Sequence, residues 1–110
     1  MIYELRHYVP TPGRESDILS RFENYTFDIF NELGFKVLDF WIETEGSRHL
    51  WYVLEWQSVE ELESKWNVFR TNSKWLEVKS KTEANGPIVE NVESIRLKRL
   101  GGTWEKSAEG

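Results

Sequence analysis

The chain has 110 residues, a formal net charge of −5 and no cysteine. That length is one domain, and the missing thiols remove disulfides, iron–sulfur clusters, thiolate nucleophiles and cysteine-type zinc sites. Both charge signs are interspersed without a Lys/Arg stripe, which argues against nucleic-acid binding. No apolar run approaches the ~20 residues that span a bilayer, so no membrane partner is expected either.

Ile2 to Val9 alternates as a first strand, and "PTPG" breaks it. Thr11-Pro12 predicts a helix start with Pro at the first helical position. Ile18, Phe22, Tyr25, Ile29 and Leu33 then recur at gaps of four, three, four and four, which is one helical stripe. Gly34 predicts a left-handed cap. Lys36 to Glu43 reads as a second strand, "TEGSR" as a turn, and His49 to Trp56 as an aromatic-rich third strand. Ser58 with Glu61 is a capping-box pattern ahead of a stripe at Val59, Leu62, Trp66 and Phe69. "RTNS" interrupts it, and Ser73 predicts the cap of a further helix to about Ala84. "NGP" is a turn, and Ile88 to Leu100 contains the last strand. The domain is expected over residues 1–100. The tail 101–110 is expected to be loosely held, with Trp104 as its one docking residue.

The order β-α-β-β-α-(α)-β predicts an α+β, ferredoxin-like two-layer sandwich. The expected sheet order is 4-1-3-2, with strands 1 and 3 central and parallel.

Period two sorts the strands into faces. Tyr3, Leu5, His7 and Val9 join Leu38, Phe40, Ile42 and Leu50, Tyr52, Leu54, Trp56 in a nearly apolar set, which is assigned to the helices. The other set mixes Ile2, Tyr8, Val37, Trp41, Trp51 and Val53 with Glu4, Arg6, Asp39 and Glu55. A solvated face rarely carries so much aromatic area, and a dry core rarely carries four charges. A second copy packed on this face satisfies both facts. The expected homodimer interface is therefore Glu4, Arg6, Asp39, Trp41, Trp51 and Glu55.

"IYELRHYVPTPGR", "GSRHLWYVLEWQS", "KWNVFRTNSKW" and "EANGPIVENVESIRL" together resemble segments of the NIPSNAP domain family, in order, over about residues 2 to 97. Asn72-Ser73 stands where that family is expected to have Asp-Pro, and Lys98 near a common Pro. Glu60 to Ser64 lacks a common Arg. The resemblance implies a homodimer of the dimeric α/β-barrel superfamily. Its relatives include cofactor-independent monooxygenases, haem-degrading enzymes and small-molecule isomerases. No catalytic residue set carries over from it.

Among candidate groups, His7 and His49 are the two histidines. Parallel strands would hold them roughly 16 Å apart, so no metal site is expected and no cofactor is assigned. His7 is the weak candidate for a general base; a histidine satisfied at a sheet end is the plainer reading. Trp66, Phe69 and Trp75 with Tyr52 and Phe40 could wall an apolar pocket, or be ordinary core. The expected ligand-binding residues are His7, Tyr25, Phe40, Tyr52, Trp66 and Trp75. Two functions compete: a cytoplasmic homodimer that binds a small apolar or aromatic molecule, with cofactor-free oxygenase or isomerase chemistry open to it, and a non-catalytic scaffold whose aromatics serve core and interface.

Overall fold

The computed structural model describes residues 1–101, so the expected tail around Trp104 lies outside the described residues. Strand β1 runs Ile2–Pro10, β2 Lys36–Ile42, β3 Leu50–Trp56 and β4 Val89–Leu97. Helices α1 Glu15–Arg21 and α2 Phe27–Leu33 are joined by a π-helical turn, Phe22–Thr26. Helices α3 Val59–Thr71 and α4 Ser73–Thr82 follow. The chain is an α+β domain with one four-stranded sheet in the order β2-β3-β1-β4, the expected order read from the other edge. Among the described residues no helix is long and apolar enough to cross a membrane.

The first helix starts at Glu15, three residues after Pro12. Gly13 sits at φ 83°, a left-handed conformation that stops a helix from beginning at Thr11-Pro12. Glu15 and Asp17 then occupy the first turn, where the helix dipole favours negative charge. Gly34, at φ 80°, ends the run as expected. Lys65 donates to the Leu33 carbonyl at 2.7 Å and closes the same end. Ser58 Oγ accepts the Glu61 amide at 3.1 Å and caps α3. The cap of α4 is Asn72 rather than Ser73, its Oδ1 accepting the Trp75 amide at 3.0 Å.

The central pair is antiparallel: Ile2 faces Trp56, Arg6 faces Tyr52 and His7 faces Trp51. The parallel pairing expected for strands 1 and 3 is corrected. Strands β2 and β3 form an antiparallel hairpin, and the β1–helix–β2 crossover sets β1 parallel to β2. The strand inserted between them must oppose both.

The register also corrects the face of β1. Glu4, Arg6 and Tyr8 lie opposite Leu54, Tyr52 and Leu50, on the helix side of the sheet. Tyr3, Leu5, His7 and Val9 point to the open side instead. The core consists of Tyr8, Leu50, Tyr52, Leu54 and Trp56 from the sheet against Ile18, Phe22, Ile29, Phe30, Leu62, Trp66 and Phe69 from the helices. Phe40 stacks on Tyr52 at 5.2 Å within the same layer.

Candidate functional site

A carboxylate stands at the centre of that core. Glu4 is 1 % exposed. Its Oε1 accepts Trp66 Nε1 at 2.8 Å and Trp56 Nε1 at 3.1 Å. Its Oε2 accepts Ser94 Oγ at 2.6 Å and Arg6 Nη1 at 3.3 Å. A buried charge is tolerable only when so fully partnered. Two indoles, from β3 and α3, and a serine from β4 are thereby tied to one point on β1.

Arg6 extends from this knot into a cavity. Its guanidinium lies 4.0 Å from the Trp66 ring centroid, a cation–π contact, and Nη2 donates to Tyr8 Oη at 2.9 Å. Tyr8 Oη is also 2.9 Å from Tyr52 Oη. Burial works against the Arg6 charge, but Tyr8, Tyr52 and Glu4 outweigh it and hold its pKa above the ordinary guanidinium value. Burial, reinforced by Tyr8, pushes the Tyr52 phenol well up and keeps it neutral. Arg6 Nε is buried without a hydrogen-bond partner. That omission costs about 1–3 kcal/mol, and such orphans call for an explanation.

The cavity holds about 410 Å³ between the sheet and the helices. Its aromatic walls are Phe22, Phe30, Trp66, Phe69 and Trp75, and Arg6, Tyr8, Arg21 and Thr26 supply polar groups. Arg70, Lys79, Glu83 and Glu90 add charge around it. The π turn brings Phe22 and Thr26 to the cavity, with Arg21 immediately before it. Its widened pitch leaves the Arg21 carbonyl to accept Thr26 Oγ1 at 3.3 Å, while Phe22 and Thr26 are both buried. Such turns recur at functional sites. Arg21 is held by Glu83 at 2.9 Å and by Thr82 Oγ1 at 3.2 Å, and lies 4.9 Å from the Trp75 ring.

The expected ligand residues divide around this geometry. Trp66 and Trp75 line the cavity. Tyr52 and Phe40 stand outside its lining, with Tyr52 touching it through Tyr8. Tyr25 lies elsewhere, on an outer groove of about 340 Å³, with its hydroxyl accepting Lys81 Nζ at 3.2 Å. His7 is on the opposite face of the sheet and cannot act as a base in the cavity. Arg6, assigned above to the interface, and Tyr8, Arg21 and Thr26, not expected at the site, are cavity residues. The parity of β1 would have offered the first two, but nothing local marks the π turn. Of the expected interface set, Asp39, Trp41, Trp51 and Glu55 stay on the open face by register. Glu4 and Arg6 belong to the core network, where indole donors satisfy the Glu4 carboxylate and Glu4 and Tyr8 accept from Arg6.

The open face carries a second cluster. His7 Nε2 and His49 Nδ1 are 2.7 Å apart, which overturns the separation of roughly 16 Å expected from parallel strands. Antiparallel pairing sets His7 opposite Trp51, and His49 lies two residues before Trp51 on the same face. His7 stacks on Trp51 with centroids 3.9 Å apart, and its Nδ1 is 3.1 Å from Glu93 Oε1. Glu43 Oε2 accepts Trp51 Nε1 at 2.8 Å, and its Oε1 accepts the His49 amide at 3.3 Å. The indole bond, above all, holds the Glu43 carboxyl below its usual pKa.

The architecture has counterparts among solved structures. An uncharacterised NIPSNAP domain protein from Burkholderia xenovorans superposes with a TM-score of 0.76 at 16 % identity, covering 91 % of this chain and 95 % of that one. A NIPSNAP family protein from Agrobacterium tumefaciens gives 0.77 at 13 % identity, covering 90 % and 92 %. A putative antibiotic biosynthesis monooxygenase from Nitrosomonas europaea gives 0.63 at 9 % identity, covering 92 % and 100 %. At these identities the likeness is one of fold. No curated protein matches the chain. The NIPSNAP family model matches residues 3–100, nearly the whole length, and the chain therefore belongs to the NIPSNAP family.

Proposed function

We propose that the protein is a cytoplasmic homodimer in which each subunit binds a small aromatic or largely apolar molecule bearing an anionic group. The carrying observation is the aromatic-walled cavity of about 410 Å³ with the Arg6 guanidinium and Tyr8 hydroxyl set into it. That volume is within the range of small-molecule sites, which are largely apolar with a few convergent polar groups. The aromatic walls suit a ring, and Arg6, Arg70 and Lys79 favour negative charge. The open cavity weighs against the scaffold reading, in which these side chains would fill the space.

Tyr8 is the residue on which proton-transfer chemistry would rest. Its oxygen already accepts from Arg6, and with Tyr52 as the donor in their shared bond the Tyr8 proton is free for a ligand oxygen. Cofactor-free oxygenation or isomerisation of a phenol or enol would use such a donor. The likeness to a protein described as a monooxygenase supports that class only by fold analogy.

The dimer reading rests on the open face. Tyr3, Leu5, Trp51 and Val53 share it with Trp41, 48 % exposed, and with Ile95 and Leu97, also exposed. A second copy would cover this apolar area and complete a barrel of two sheets.

One experiment addresses both parts. A native mass spectrum of protein purified without added ligand should show a dimer. Titration with 4-hydroxybenzoate should then quench tryptophan fluorescence, and Arg70→Ala together with Lys79→Ala should weaken that binding about tenfold, the worth of roughly 1.4 kcal/mol. A monomer would refute the interface. Fluorescence unmoved by 4-hydroxybenzoate and by its neutral amide, in a protein retaining no ligand mass, would refute the cavity reading.

A further inference from the structure

We infer that His7, His49 and Glu43 form a binding site for a divalent first-row transition ion on the open face of the sheet, with Glu93 orienting His7. One ligand atom from each of the three lies within 4.8 Å of the others. Two imidazoles and a carboxylate suit Zn²⁺ and its neighbours in the series. Three protein ligands also leave a fourth coordination position, as in catalytic rather than structural zinc sites. The cluster lies on the far side of the sheet from the cavity, so the inference does not rest on the ligand reading above.

The surrounding bonds are those a metal site needs. A ligating histidine characteristically gives its other ring N–H to a carboxylate, which fixes the tautomer and the ring. His7 does this: Nδ1 meets Glu93 Oε1 at 3.1 Å, which leaves the Nε2 lone pair directed at His49. Stacking on Trp51 at 3.9 Å holds the ring plane. Glu43 is fixed by the Trp51 indole and the His49 amide. Each contact uses one lone pair of an oxygen, so both oxygens keep another. Arg48, immediately before His49, adopts φ 52°, a left-handed conformation unusual for a long side chain.

The metal-free imidazole pair is already close to its bound spacing. At 2.7 Å the two imidazole nitrogens share a hydrogen, donated by His49 Nδ1 to His7 Nε2. Metal–nitrogen bonds of about 2.0–2.1 Å in a tetrahedral site set two nitrogens about 3.3 Å apart. The rings need to separate by only about 0.6 Å, within reach of small χ changes, as the ion replaces that hydrogen. The His49 proton moves from Nδ1 to Nε2 through solvent, so the ring stays a neutral imidazole, and nothing is oxidised or reduced.

The test is titration of the full chain with Zn²⁺ alone, followed by calorimetry, with Co²⁺ as a spectroscopic substitute. One ion per chain is expected, and the Co²⁺ form should show a visible ligand-field band. His7→Phe keeps the stacking on Trp51 and removes the nitrogens; His49→Ala removes the second ring. Each should weaken Zn²⁺ binding more than about 100-fold, whereas Glu93→Gln should weaken it about 10–100-fold, as loss of an outer carboxylate does. Circular dichroism of each variant checks that the fold persists. Zn²⁺ binding that is absent in the wild type, unchanged in either histidine variant, or insensitive to Glu93→Gln would overturn the assignment.

Discussion

Replacing Glu4 with Leu tests the central network most directly. The carboxylate accepts four hydrogen bonds, and two come from the indoles of Trp56 and Trp66, only 1 % and 4 % exposed. Leucine removes the acceptor and leaves both indole N–H groups buried and unpaired, at about 1–3 kcal/mol each. Arg6, with its side chain 16 % exposed, also loses its carboxylate partner, and breaking such a pair from one side costs about 3–5 kcal/mol by itself. These terms overlap, and the new apolar side chain returns about 1.5–3 kcal/mol. A net loss of about 3–5 kcal/mol is expected, a large share of the ~5–15 kcal/mol that holds a domain together. Urea unfolding followed by tryptophan fluorescence and circular dichroism measures it. In Glu4→Leu/Arg6→Met the uncompensated charge is gone, so the double variant should be at least about 1 kcal/mol less destabilised than the sum of the single ones. A loss below about 1 kcal/mol in Glu4→Leu would refute the reasoning, since two orphaned indoles alone exceed it.

Two further substitutions probe smaller features. Gly34→Ala should cost about 1–2 kcal/mol in the same assay, because the position sits at φ 80°. The added methyl meets only the flexible end of Lys65, at 3.2 Å, so the penalty is conformational, and an unchanged urea midpoint would contradict it. Trp51→Phe keeps a ring under His7 and removes the donor that holds Glu43 below its usual pKa. A lowered folded value gives stability that is complete above the usual carboxylate range and lost as pH falls below it. The Glu43 carbon resonance should therefore titrate at higher pH in Trp51→Phe, with acid tolerance lost earlier. An unmoved titration would show that another group holds the carboxylate.

Much of the local chemistry was legible in the residues. Gly34 and Ser58 mark a helix end and a helix start because their conformational and hydrogen-bonding roles are local. The stripe Leu62, Trp66, Phe69 gives the buried face of α3, since period 3.6 needs no knowledge of a partner. Strand direction also follows from the connections, against the parallel pairing expected for strands 1 and 3. A crossover from β1 to β2 makes them parallel, a hairpin makes β3 oppose β2, and the antiparallel centre follows. From that pairing, the meeting of His7 and His49 could have been foreseen.

The sequence by itself determined the order of elements, the ferredoxin-like sheet order and the family resemblance. These depend on periodicity, turns and caps, which are properties of neighbouring residues. Only the tertiary structure decided which side of β1 is core. Both alternating sets carry aromatics, so hydrophobicity alone does not choose. What buries Glu4 is hydrogen bonding from Trp56 and Trp66, 52 and 62 residues away in the chain. The same holds for the cavity, where Arg21 from α1 and Arg6 from β1 line one space. It holds again for the imidazole pair, 42 residues apart in sequence and 2.7 Å apart in space. Sites of this kind are made by contacts between distant residues, and a one-dimensional pattern carries the side chains without their meeting points.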